Sequence, residues 1–173
     1  MNRIYRLLIL ITLTLPSFAH AQEAKETMLK KGKEHIPGYT IKLRHSRSLT
    51  AATLKETMQE AGLKKAKHKK GFYTYKGVVL MAISSSKQDY YYKVTGNKRK
   101  TTVHFAVSKG YDNYVTSAND SHLSMSISGF LTELNNKVGV KEQLNQKQTE
   151  LDEIEKEKAR KQAEIDKLQK QTR

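Results

Sequence analysis

From Val140 to the last residue the chain contains neither proline nor glycine. Its apolar residues there, Val140, Leu144, Leu151, Ile154, Ile165 and Leu168, recur at steps that fit alternating threes and fours. All the intervening residues tolerate a helix. Leu144, Leu151 and Ile165 share one core position of a heptad repeat, and Val140, Ile154 and Leu168 share the other. Lys147, Lys158 and Lys161 take the remaining core slots. Acid precedes base at helical neighbour spacing in Glu153–Lys156 and Glu157–Lys161. Residues 139–173 therefore read as a charged helix with an interrupted coiled-coil repeat. So narrow a stripe cannot bury itself. It needs a partner helix, from a second copy (a homo-oligomer through the C-terminal helix) or from the body of its own chain. The bland alternative is a single charged helix extending into solvent.

The chain's formal charge of +15 is unevenly placed. Residues 22–138 hold 21 basic against 9 acidic residues, a net of +12, whereas residues 139–173 hold 9 against 8, a net of +1. The excess thus belongs to the segment before the tail. The absence of cysteine excludes a disulfide framework, a zinc–thiolate site and a thiol nucleophile.

Residues 1–21 read as a secretory signal peptide. Arg3 and Arg6 precede the run Leu7–Leu15, and Ala19-His20-Ala21 has the small-x-small form of a cleavage site. The apolar run is far shorter than the ~20 residues a membrane-spanning helix requires. Export to a periplasmic, extracellular or cell-envelope location is expected, which argues against nucleic acid as the partner of the basic excess.

Residues 22–138 read as a basic α+β domain. Tyr39–Arg44 alternates as a strand with Tyr39, Ile41 and Leu43 on one face. Thr50 is placed to cap a helix carrying Leu54, Met58 and Ala61, which ends at Gly62. Leu63–Lys67 and Phe72–Lys76 suggest a strand pair turning at Lys69-Lys70-Gly71, and Val78–Ile83 a further strand or irregular edge. Tyr90–Thr95 and Thr101–Ser108 form a hairpin around Gly96-Asn97. Asp120 or Ser121 then caps a helix whose stripe is Leu123, Ile127, Phe130, Leu131, Leu134 and Val138. Met28, Leu29 and Ile36 suggest a short edge strand, with Pro37-Gly38 as the turn into Tyr39. The expected fold is an antiparallel sheet covered by two helices, as in TATA-binding-protein-like or ferredoxin-like layers, followed by a long C-terminal helix.

No catalytic, cofactor-binding or metal-ligating set is expected. The histidines show no ligand spacing, and His104 falls on the strand face opposite Val103 and Phe105. Ser84-Ser85-Ser86-Lys87 matches S-x-x-K, but the larger domain, the helix opened by the serine and the K-T-G strand that this chemistry needs are missing. The sharper signal is basic. Lys64, Lys65, Lys67, Lys69 and Lys70 gather at one turn, and Lys98, Arg99 and Lys100 at another, near Phe72, Tyr73, Tyr75 and Tyr90-Tyr91-Tyr92. Positive loops beside aromatic strands suit anionic partners; the bland reading is a solvated surface.

The stretches Gly71-Phe72-Tyr73-Thr74-Tyr75-Lys76-Gly77-Val78 and Val107-Ser108-Lys109-Gly110-Tyr111-Asp112-Asn113-Tyr114-Val115, followed by a Glu/Lys/Gln-rich helix, resemble an uncharacterised family of secreted bacterial envelope proteins. The resemblance runs from about Lys30 to the end and implies a signal peptide, a small α+β domain and a C-terminal coiled coil. It implies no activity. The expected function is non-catalytic: binding or assembly in the envelope, through an anionic envelope component or a protein client. A periplasmic holdase-type chaperone is the alternative.

Overall fold

The computed structural model of the chain describes residues 23–171. The leader read over residues 1–21 lies outside them. Strands β1 (Lys25–Lys31), β2 (Glu34–Leu43), β3 (Lys67–Lys69), β4 (Phe72–Leu80), β5 (Ser84–Gly96) and β6 (Thr101–Ser108) build one antiparallel sheet in the order β1-β2-β6-β5-β4-β3. Helix α1 (Arg47–Glu60) links β2 to β3, and helix α2 (Ser121–Gln171) follows β6. This is the α+β layer arrangement expected. Four consecutive strands separate the helices, so the chain does not follow the β-α-β-β-α-β order of a ferredoxin-like sandwich.

Alternation explains the core. Tyr39, Ile41 and Leu43 of β2, Tyr90, Tyr92 and Val94 of β5, and Val103, Phe105 and Val107 of β6 point to one side and are buried. Leu54 and Met58 of α1 meet them, together with all six stripe residues of α2.

Several local elements differ from the sequence reading. The cap of α1 is Ser46 and not Thr50. Ser46 has an extended backbone and its Oγ accepts from the Leu49 N–H at 3.2 Å. Thr50 lies within the first turn, where its hydroxyl donates to the Ser46 carbonyl at 2.9 Å. Ser46→Ala is expected to cost about 1 kcal/mol of unfolding free energy, read from urea denaturation, while Thr50→Ser leaves the helix start intact.

Leu63–Lys67 is not a strand. The Leu63 N–H bonds to the Met58 carbonyl at 2.9 Å and its side chain enters the core, so the segment closes α1. Only Lys67–Lys69 pairs with β4. The exposed Lys-His-Lys of this short edge discourages pairing with another chain. Val78–Leu80 completes β4, and Met81–Ile83 turns the chain into β5.

Pro37-Gly38 is not a turn either. Residues 25–43 form a hairpin turning at Gly32 (φ +67°), with Pro37 opposite Met28. Pro37 lies beyond Tyr39–Phe105, the last β2–β6 pair, and has no N–H to offer. There the Val107 carbonyl of β6 accepts instead from the Val115 N–H at 2.8 Å.

Asp120 caps α2, accepting from the Leu123 N–H at 2.9 Å. The Lys109 ammonium 2.7 Å away and that N–H hold its carboxyl below the usual range. The helix runs unbroken through Gly139, so the core-packing segment and the charged tail are one element. Val138 is its last buried residue, and every residue from Gln143 to Gln171 is exposed. His45–Glu142 (2.7 Å) and Lys141–Glu56 brace it where it leaves the body.

Candidate functional site

Among the described residues no helix covers the other face of the sheet. Side-chain alternation gives it Leu29 and Lys31 of β1, Ile36 of β2, Lys67 and Lys69 of β3, Phe72 and Thr74 of β4, Tyr91 and Lys93 of β5, and His104 and Ala106 of β6. Leu29, Ile36, Phe72, Tyr91, Ala106 and Tyr114 form a second, smaller apolar cluster there.

This face is concave. β1 and β3 are opposite edges of the sheet, yet the turns beside them meet. Lys70 Nζ lies 2.6 Å from Glu34 Oε1, and a Cβ on Gly32 would sit 3.0 Å from Lys70 Cδ. The sheet therefore curls until its two edge hairpins touch. Lys31 Nζ lies 4.4 Å from the Tyr91 ring centre and donates to the Tyr114 hydroxyl at 2.9 Å. Gly38 lets β2 run close against β1 and β6. A Cβ there would lie 2.5 Å from Leu29 Cδ1 and 2.7 Å from the Phe105 carbonyl oxygen.

Inside the curl is a cavity of about 210 Å³ lined by Lys31, Lys67, Lys69, Lys70, Lys76, Glu34, Asp112, Thr74 and Tyr91. Five lysines and two acidic residues thus line it. Lys70, by hydrogen bond and charge, and Lys31 and Lys69 by charge, hold the Glu34 carboxyl below its ordinary range. Burial, with the neighbouring Tyr114 and Asp89, pushes the Tyr91 phenol well above its usual value. Tyr114 is pushed up to about 12 by burial and by Asp112. Both phenols are neutral near pH 7. The cavity is smaller than the several hundred Å³ that enclose an organic ligand, and its charge suits a phosphate- or carboxylate-sized group.

The segment Ser108-Lys109-Gly110-Tyr111-Asp112-Asn113 makes a turn and delivers Asp112 to the cavity wall. Gly110, Tyr111 and Asp112 have φ of +100°, +51° and +58°. Two successive non-glycine residues in the left-handed region are uncommon and carry strain. Hydrogen bonds from Lys109 N–H to the Asn113 carbonyl (2.9 Å) and from Asn113 N–H to the Gly110 carbonyl (3.0 Å) hold the loop. Tyr111 is left fully exposed.

The eight basic residues singled out in the sequence do not act together. Lys67, Lys69 and Lys70 line the cavity. Lys64 and Lys65 are exposed ahead of β3 and stand outside it. Lys98 borders a shallow depression beside Arg47 and Ser48 at the start of α1. Arg99 and Lys100 are exposed, their N–H groups tied to Asn97 Oδ1 at 2.8 and 3.0 Å. The aromatic run is divided by alternation: Tyr90 and Tyr92 enter the main core, and Tyr91 faces the cavity. Lys31, Lys76, Glu34 and Asp112 were not legible as site residues. They come from strands and a loop far apart in sequence, and only the curl gathers them.

Ser84 and Lys87 lie three apart on β5, which puts them on opposite faces. His104 Nε2 is 3.0 Å from Thr95 Oγ1, and burial, helped by Lys93, lowers its affinity for a proton. Among the described residues no group of three or more His, Cys, Asp or Glu could hold a metal ion, and no helix is long and apolar enough to cross a membrane. No protein-family model, curated protein or solved structure matches the chain.

Proposed function

We propose that this is a non-catalytic exported envelope protein that holds an anionic group of an envelope component in the concave face of its sheet. The observation that carries the reading is the cavity in which five lysines meet two carboxylates inside a curl closed by the sheet's own edges. The leader-like residues 1–21, the net +12 on residues 22–138 and the resemblance to secreted envelope proteins support it. Each lysine near an anionic surface contributes about 1 kcal/mol.

The test is binding of the full chain to anionic and to neutral vesicles across a salt series. Affinity for anionic vesicles is expected to fall steeply with salt, as charge-driven binding does. Lys67→Glu with Lys69→Glu should weaken it at least tenfold. Lys98→Glu with Arg99→Glu, outside the cavity, should change it severalfold less. Equal losses from the two pairs would mean that net charge alone is read. An absence of binding at low salt, to vesicles and to any other polyanion, would overturn the proposal.

A further inference from the structure

The exposed part of α2 presents Leu144, Leu151, Ile154 and Ile165 at 47–66% exposure along one stripe. That stripe faces away from the body. Where α2 leaves the body, the residues bordering its cleft with the start of α1 are Glu142, Asn145, Gln146 and Thr149. In the heptad set by Leu144 and Leu151 these occupy the opposite side of the helix. Among the described residues the body therefore leaves Leu144, Leu151, Ile154 and Ile165 uncovered.

The three seam lysines decide what fits it. In a parallel, in-register pair Lys147, Lys158 and Lys161 would each meet its own copy, giving three layers of like charge. A parallel pair staggered by a heptad avoids this but is not two-fold symmetric and does not close. An antiparallel pair sets each heptad core position against the other one. In one register Leu144 faces Leu168 of the second copy, Lys147 faces Ile165, Leu151 faces Lys161 and Ile154 faces Lys158. The two-fold axis repeats these four layers in reverse. Every lysine then meets an aliphatic side chain. A shift of one heptad in either direction brings Lys147 onto Lys158, or Lys158 onto Lys161. The favoured register spans roughly 36 Å of helix.

The lysine heads already have anchors beside the seam. Lys147 Nζ is 2.6 Å from Glu150 and Lys161 Nζ is 2.8 Å from Glu157. Their methylene stems can lie along the seam while the charges stay at its edge.

We infer that two copies of this chain pair through residues 144–168 as an antiparallel coiled coil, with the two basic bodies at opposite ends. The inference is independent of the cavity's ligand. The lack of native cysteine makes a clean test. Full-length Ile154→Cys and Lys158→Cys chains are prepared singly, and also mixed under reducing conditions before mild oxidation. The antiparallel register predicts strong cross-linking to a species of doubled mass in the mixture and little in either variant alone. Strong self-cross-linking of each variant, with no gain on mixing, would show a parallel pair and overturn the inference. A monomeric mass for the unmodified chain by sedimentation at the same concentration, with no cross-linking, would overturn it as well.

Discussion

Phe105→Ala is expected to destabilise the protein by about 3–5 kcal/mol. Phe105 is fully buried on the central strand pair, with its ring centre 5.4 Å from that of Phe130 and 6.2 Å from that of Tyr90. It is where α2, β5 and β6 meet. Removing it strips contacts from both layers at once, and the rigid rings around it cannot collapse into the space. For a domain of this size each kcal/mol shifts the melting temperature by roughly 2–4 °C, so a fall of ~6–20 °C should accompany it. The chain has no tryptophan, so tyrosine fluorescence and circular dichroism are the suitable probes of urea unfolding. A loss below about 1.5 kcal/mol would mean that helix–sheet packing is not centred on this residue.

Gly38→Ala should cost roughly 3 kcal/mol, the upper end for overpacking. The added methyl would meet a backbone oxygen, Phe105 O, at 2.7 Å and the Leu29 side chain at 2.5 Å. A side-chain end can rotate aside, but the carbonyl belongs to the central strand and cannot. The β1–β2 hairpin must lift, which carries Lys31 off the Tyr91 ring and opens the cavity. The variant should therefore lose binding to anionic vesicles as well as stability. Gly129→Ala is the control. Nothing lies within 4 Å of its Cβ position on the exposed side of α2, so the change should stabilise by up to about 1 kcal/mol. If the two alanines behaved alike, the close crossing at Gly38 would be refuted.

Legibility followed burial. Strands with one face in the main core, such as Val103–Val107, announced themselves by alternation, and the α2 stripe by its helical period. Elements without such a face carry a local pattern that points elsewhere. Leu63 is buried in a connection that is not a strand. Pro37-Gly38 carries turn chemistry but lies inside β2, because the strand parts from β6 there. Thr50 and Ser46 are both good capping residues, and only the backbone conformation at Ser46 distinguishes them.

The candidate site was half legible. Lys67, Lys69 and Lys70 stood out as a run, whereas Lys31, Lys76 and Asp112 had no local signature. A basic run marks a place where positive charge is dense. It does not say which strand face that charge takes or what lies across from it.

The α+β class, the main paired strands and helix stripes, the charge division between body and tail, and the heptad pattern of α2 are all readable along the chain. These depend on periodicity and composition, which act over a few neighbouring residues. Folding in three dimensions sets the rest: the sheet curls until Lys70 reaches Glu34, the two basic clusters part company, and the seam faces away from the body. Those outcomes depend on twist accumulated over six strands and on one glycine's close approach to a distant backbone, and such long-range sums leave no period in the chain.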